Sequence, residues 1–594
     1  MIRRPSDKAR SRDVFRRERG RVFATILALA AAASACSALV DTTSTQCDRD
    51  DDCARLGAAF TGSVCSSDHV CVKANGVGGA GGTGLAGAGG GTGGTSLGGA
   101  AGSSAGMAGF AGGAGASGGS TCSNMACSEK LGGPAICRQS DGTCVALTSI
   151  DCPTVSGDVS NDATVIYGFL GPLVGDFASI GLPIRDGAEL AFHEIMVNAN
   201  GLPAPGGKPR PIAMISCHDL DDPIRAATHL TEDVRVPAII GPAFSGITIK
   251  VASQVTIPDG VLIMSASATS PAITSLANKN GLVWRAVPSD AIQAIPLDLL
   301  VPILEAQVRA ADKLQPTDQI RVAIAAKGDA YGTGLSDAVT AQLTFNGKSV
   351  KANGTNFLAQ TYDDPASSPN FDFTPIVQSI VSFAPHIVLV LGTNEGLTKV
   401  FQPIEADWPT TGTAPPRPRW LFPDGGRLPE ALAAVKGNDD LRKRIVGTVP
   451  GRKGPNYDSF ALRFKAAYGK VPGTYAENAY DAGYLLAYAS IAAGTKLTGA
   501  TISMGMKHMV PPGPLVDVGP NQLGTAFTAL QAGSNIDFNG ASGPLDFDVT
   551  TGEAKADIDI WCIGVDGTGA PAFQSSGQYY DATTGGLTGT FGCP

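Results

Sequence analysis

The chain has 594 residues, which at roughly 150 residues per domain allows about four domains, yet its 76 glycines are too many to spread over four packed cores. Its net charge of −9 becomes −15 without the first 35 residues, which hold nine Lys/Arg against three Asp/Glu; such acidity argues against a nucleic-acid partner. A hydrophobic content of 43% excludes a wholly disordered protein, although only 6% of residues are aromatic and 16% charged.

At the N-terminus, Arg3, Arg4, Arg16, Arg17, Arg19 and Arg21 precede an apolar run from Val22 to Ala33. A basic region, a short apolar region and small residues in that order predict an export signal over residues 1–35. The run reaches about 18 Å as a helix, short of the ~30 Å hydrocarbon core, and no later stretch has 18 uninterrupted apolar residues. No membrane-spanning segment is therefore expected. The end of the run, Ala33-Ser34-Ala35-Cys36, resembles a bacterial lipoprotein cleavage box, in which Cys36 would carry the lipid, although Ala33 replaces the usual leucine. The alternative is an ordinary cleaved signal with Cys36 discarded or unpaired. Arg16-Arg17 is followed by Glu18-Arg19 and matches a twin-arginine signal poorly, so the export route stays open.

Twelve cysteines remain besides Cys36, an even number that suits an exported protein with disulfides. Cys47, Cys53, Cys65 and Cys71 form one cluster and Cys122, Cys127, Cys137 and Cys144 another. Neither has the paired C-x₂-C knuckles of structural zinc sites, so each reads as a small two-disulfide module whose pairing is left open. Cys562 is expected to pair with Cys593 and, by elimination only, Cys152 with Cys217. Between the clusters, Gly76 to Ser120 holds 22 glycines in 45 residues, the rest mostly Ala, Ser and Thr. No core can form there, and a flexible coil of that length spans about 35–40 Å.

From Ala163 onward strand and helix alternate. Apolar runs predict strands at Thr164–Leu170, Pro211–Ile215, Ala238–Ile240, Val261–Met264, Arg321–Ile324, His386–Leu391, Trp420–Phe422 and Ile445–Val446. Helices are expected over Pro183–Ile195, after the Asp222-Pro223 start signal, over Asp372–Val381 and over Tyr475–Ala492. Such alternation gives parallel sheets flanked by helices, and the number of strands favours two doubly wound lobes with a ligand cleft between them.

Four stretches carry a resemblance: Tyr167 to Gly181 with Arg185 to Ala191, Ile239 to Gly246, Met264 to Pro271, and Ala330 to Leu335. Trp284 to Asp290, Ala479 to Leu486 and Gly543 to Asp548 extend it. Their order resembles the type I periplasmic-binding proteins, in particular the leucine/isoleucine/valine-binding receptors of bacterial ABC transporters. The resemblance implies two α/β lobes joined by three crossovers, near Trp284-Arg285, Val446 to Pro450 and Asp546 to Asp557. The expected organisation is a signal peptide (1–35), a lipid anchor with a Cys-rich module (36–73), a Gly-rich linker (74–120), a second Cys-rich module (121–160) and a periplasmic-binding domain (161–594). Within the last, lobe 1 is expected at about 161–287 and 451–547, and lobe 2 at about 288–450 and 548–594.

The same resemblance implies the site. Ser245 and Thr269 fall where the family binds an amino-acid carboxylate, with Ala268 offering backbone contacts beside them. Tyr331 matches an aromatic residue lining the cleft, and Asp424 falls where the family keeps an acid for the ligand ammonium. Each residue also has a simpler reading: Ser245 and Thr269 as helix caps, Tyr331 as a core tyrosine, Asp424-Gly425 as a turn. All follow strand ends, where this architecture places its ligand. Many relatives have Glu at the Asp424 position and an aromatic residue at Ile180 and near Thr393-Asn394, so the ligand need not be a branched-chain amino acid.

Other chemistry is not evident. Cys217-His218-Asp219 with Asp221 and Asp222 reads as a solvated loop rather than a metal site. Gly168, Gly171 and Gly175 miss the dinucleotide spacing, no P-loop or H-E-x-x-H occurs, and no G-x-S-x-G occurs outside the glycine-rich run. The expectation is a non-enzymatic, exported, lipid-anchored receptor without metal or cofactor, taking an amino-acid-like solute and handing it to an ABC permease. A ligand sensor, or a surface lipoprotein acting through its Cys-rich modules, are the alternatives.

Overall fold

The computed structural model describes residues 122–593 apart from 205–206, 278, 413 and 452–453, together with Arg49 and the short strands Ser63–Cys65 and Cys71–Lys73. The signal region, Cys36 and the glycine-rich run lie outside the described residues. Two compact units are distinguished, 1–112 and 113–594. In the first, the two short strands pair antiparallel with Cys65 opposite Cys71.

The second unit begins with a small module. Ser123 caps the helix Asn124–Leu131 by accepting a hydrogen bond from Ala126 N–H, and the strands Ala135–Arg138 and Thr143–Ala146 form a hairpin beside it. Three buried residues, Cys127, Ala135 and Cys137, make up its core, far too little apolar surface to hold a fold alone. Disulfides Cys122–Cys137 and Cys127–Cys144 supply the remainder.

Beyond it lie two eight-stranded sheets. Across the first, the order is Asp546–Asp548, Glu553–Lys555, Val283–Arg285, Leu262–Ser265, Ala238–Ile240, Val165–Gly171, Ile212–His218, Thr154–Ser156. The middle strands are parallel and each edge strand is antiparallel to its neighbour. Val165–Gly171 is buried at all seven positions, as expected of a strand covered by helices on both faces. Across the second, five parallel strands (Phe357–Tyr362, Val322–Lys327, Ile387–Leu391, Arg419–Phe422, Ile445–Pro450) continue into three antiparallel ones, Ile558–Val565, Pro571–Asp581 and Gly586–Gly589. Two of the expected boundaries move. Thr154–Ser156, placed in the second Cys-rich module, is an edge strand of the first sheet, and that sheet keeps the chain to Lys555 rather than releasing it at 548. Thr154–Ser156 pairs with Ile212–His218 and Glu553–Lys555 with Val283–Arg285, so each extends one side of the sheet.

The helices Ala178–Ala199 and Ala476–Ala493 pack face to face in the first lobe, so closely that a Cβ on Gly187 would lie 2.1 Å from the Ala476 carbonyl oxygen. The apolar helix Asp290–Ala311 is the one described helix long enough to cross a membrane by length and composition. Here it serves the second lobe's core through Leu297, Leu300, Val301 and Leu304.

Cys152–Cys217 and Cys562–Cys593 are joined as expected. The first closes a separation of 65 residues, for which the chain-entropy model gives about 4 kcal/mol. Replacing both cysteines by Ala should lower the unfolding free energy by about that amount in a denaturant titration; a loss under about 1 kcal/mol would show the bond to be incidental.

Candidate functional site

In both sheets the first strand of the doubly wound part lies between the second and third, and the chain reverses its winding there. The reversals fall between Val165–Gly171 and Ala238–Ile240 in one lobe and between Val322–Lys327 and Ile387–Leu391 in the other. The crevice at the carboxyl ends of such strands is where doubly wound sheets bind ligands. A pocket lies there: the first lobe contributes Ile180, Ala243, Phe244, Ser245, Ser267 and Tyr475, and the second Tyr331, Thr393, Gly425 and Leu428. Its walls are mostly apolar and none of these residues carries a charge. Its free space is about 30 Å³, room for one or two waters.

Contacts between lobes explain the closed form. The Lys327 ammonium of the second lobe lies 5.7 Å from the Phe177 ring centroid and 5.5 Å from that of Phe244 in the first. It also pairs with Asp329 at 3.2 Å and Asp364 at 3.1 Å. Burial opposes its charge, but Glu395, Asp329 and Asp364 outweigh that and raise its pKa. Asn394 Nδ2 donates to Asp176 O at 3.0 Å and Thr474 Oγ1 to Arg427 O at 2.6 Å.

Beneath the pocket Asp424 gathers donors. Oδ1 accepts from Tyr331 at 2.6 Å, from Gln293 Nε2 at 3.0 Å and from Gly425 N–H at 3.0 Å, while Oδ2 accepts from Tyr475 at 2.5 Å. Tyr475 comes from the opposite lobe and sits at φ 68°, a left-handed conformation that is strained for a large side chain. Burial raises the Asp424 pKa, and these donors work against that rise. Burial and the neighbouring carboxyl push both phenols well above their ordinary pKa, so they remain protonated donors.

Of the five expected binding residues, Ser245 and Tyr331 are in the pocket wall. Ser245 Oγ accepts from Ser270 N–H at 3.2 Å and is the first residue of a helix rather than its cap, which is Phe244. Ala268 lies behind the wall: its N–H goes to Ser265 Oγ at 3.0 Å and its carbonyl accepts from Arg285 Nη1 at 3.2 Å. Thr269 is likewise fully buried. Asp424 is wholly enclosed, beginning a short 3₁₀ turn, Asp424–Gly426, and its partners Tyr331 and Tyr475, not Asp424 itself, line the pocket. Sequence reasoning missed Tyr475 and Gln293; Ser267 lay within a stretch singled out for resemblance. Of the run expected as a solvated loop, Cys217 and Asp219 are buried, His218 is half-buried and Asp221 is exposed. Cys217 is in a disulfide, His218 Nδ1 accepts from Leu173 N–H at 3.0 Å, and burial pushes the Asp219 carboxyl up to about 7.

Residues 164–561 match the family described as Periplasmic binding protein, and the chain belongs to that family. It is 29% identical over 225 residues to the Leu/Ile/Val-binding protein BraC3 of Rhizobium johnstonii, covering 37% of this chain and 52% of that one. It is 25% identical over 355 residues to the chemotactic signal transduction system substrate-binding protein BasB of Halobacterium salinarum, 57% of this chain and 73% of that one. The chain spans about half the length of the first of these relatives. In structure it is similar to a leucine-binding protein LivK from Thermotoga maritima, with a TM-score of 0.51 at 16% identity, covering 69% of this chain and 97% of that one. A solute-binding protein of an ABC transporter from Rhodopseudomonas palustris, solved with 3,4-dihydroxybenzoic acid, gives 0.50 at 17%, covering 71% and 98%. These likenesses establish the fold, a pair of type I periplasmic-binding lobes.

Proposed function

We propose that the protein is an exported receptor whose two lobes close on a small amino-acid-like carboxylate solute and present the closed form to an ABC permease, with a lipid on Cys36 holding it at a membrane. The observation that carries this reading is the placement of the pocket: its wall comes from both lobes, at the reversal points of both sheets. A phenol that donates to Asp424 keeps lone pairs for a donor on the solute. Tyr331 and Tyr475 thus accept an ammonium or hydroxyl, with Asp424 polarising them from below. Ser245 and Ser267 face the carboxylate end, and Ile180, Phe244 and Leu428 enclose the apolar body. A sensing role for the same closure is the second reading, favoured by the likeness to a chemotactic substrate-binding protein.

A thermal-shift screen of amino acids and aromatic acids tests the capture. A solute at 100 times its dissociation constant adds about 2.7 kcal/mol to stability, and the gain should vanish in Tyr331→Ala. If no carboxylate in the panel shifts the melting temperature, the reading fails.

A further inference from the structure

We propose that Asp290 holds a proton in the closed form, so that closure of the lobes, and with it solute capture, is strengthened by acid. This rests on the reading of the cleft as a closing solute site and adds its regulation. Asp290 is the first residue of the helix that follows the first crossover. It is fully buried, and neither carboxyl oxygen has a hydrogen-bond partner. Two nearby buried oxygens also stand without partners: Gln293 Oε1, one turn along the same helix, and Thr269 Oγ1, whose backbone carbonyl accepts from Asp290 N–H at 2.8 Å. Gln293 in turn donates through Nε2 to Asp424 at 3.0 Å and to Thr448 Oγ1 at 3.2 Å.

An ionised Asp290 would leave two buried negative carboxyls facing one another with no free counter-charge, an arrangement that buried charges avoid. Asp424 and Asp329 oppose its ionisation, and Tyr331 and Tyr475, also within its field, stay neutral. Arg285 is the nearby cation, but its guanidinium is committed to Glu553, Thr274 and two carbonyls. The helix N-terminus favours the carboxylate, as does the neighbouring Thr269 hydroxyl, although that hydroxyl makes no hydrogen bond of ordinary geometry to it. Burial outweighs them and, with Asp424, moves the pKa well above the carboxylate range. One proton resolves the site: it removes the second charge and supplies a donor for an unpartnered neighbouring oxygen, while Gln293 still donates to Asp424. The burial depends on both lobes, since Thr269 belongs to the first and Gln293 and Asp424 to the second. Parting the lobes admits water and releases the proton, so closing takes it up.

The sign follows from linkage: a carboxyl whose pKa is raised in the closed form favours that form at low pH, and the advantage is lost as pH rises through the raised value. Infrared difference spectra of the full chain, followed as pH rises from the ordinary carboxylate range, should show a protonated carboxyl band that persists above that range and is missing in Asp290→Asn. The Asn side chain mimics the protonated acid and should fold normally. In the same solute-free protein, hydrogen exchange at the amides of 243–247 and 330–333, corrected for intrinsic rates, reports parting of the lobes. Protection should rise as pH falls from about 8 to 5, by up to about tenfold per pH unit, and be flat in Asp290→Asn. The absence of an Asp290-dependent band overturns the proposal, as does a band without pH-dependent protection. Neither measurement uses a solute, so a failure of solute capture is scored separately.

Discussion

Replacing Arg285 by Met is expected to lower stability by about 3–5 kcal/mol, the cost of breaking a buried ion pair from one side. The guanidinium is fully buried. Nε donates to Glu553 Oε2 at 2.8 Å, Nη1 to the carbonyls of Ala268 at 3.2 Å and Ser270 at 2.9 Å, and Nη2 to Thr274 Oγ1 at 2.9 Å and to Glu553. Arg285 therefore ties the strand leading into the first crossover to the strand leading into the third, and both to the loop behind the pocket. Met fills much of the volume but strips Glu553 of its guanidinium donors and the Ala268 carbonyl of Nη1; Glu553 keeps only Thr274 Oγ1 at 3.0 Å, and the Ser270 carbonyl keeps Ile273 N–H at 3.1 Å. Adding Glu553→Gln should restore part of the loss, because it removes the stranded charge. A denaturant titration of the single and double variants checks this; a single-variant loss below about 1 kcal/mol would mean that the network is not holding the crossovers.

Asp424→Ala should cost about 2–4 kcal/mol of stability and at least tenfold in solute affinity. The variant strands three side-chain donors, Tyr331, Tyr475 and Gln293, each worth about 1–3 kcal/mol when buried without a partner, with relaxation reducing the sum. Tyr475→Phe probes the interlobe bond alone. The ring stays in place but the buried Asp424 Oδ2 loses its donor, so the unfolding free energy should fall by about 1–3 kcal/mol and affinity several-fold. If Tyr475→Phe leaves solute binding unchanged, the hydroxyl plays no part in closure.

Strands such as Val165–Gly171 and Ile387–Leu391 were legible because helices cover both faces, which forces unbroken apolar runs. The Asp222-Pro223 start was legible because its chemistry is local: Asp222 Oδ1 accepts Arg225 N–H at 3.0 Å. The antiparallel strand Pro571–Asp581 was not, since only Ser576 and Tyr580 in it are buried and its middle, Gln574 to Gln578, is a polar run with a glycine. The site shows the same division. Ser245 and Tyr331 could be placed because they follow strand ends, whereas the enclosure of Asp424 depends on Tyr475, 51 residues away, and on Gln293, 131 residues away. Nothing in the sequence around Tyr475 signals its left-handed conformation, which is imposed by packing at the start of a buried helix. Likewise, Arg285 was visible as part of a crossover, but its partner Glu553 lies 268 residues downstream.

The central claim, that one small solute is clamped between Ser245 and Tyr331, is tested most directly by native mass spectrometry of the full chain. The dialysed protein would be incubated with a mixed panel of amino acids and aromatic acids. A mass increase of one solute per chain is expected, lost in the Ser245→Ala/Tyr331→Ala double variant. Retention of the solute by that variant would place binding elsewhere, and no bound solute from the whole panel would contradict the capture of a small carboxylate.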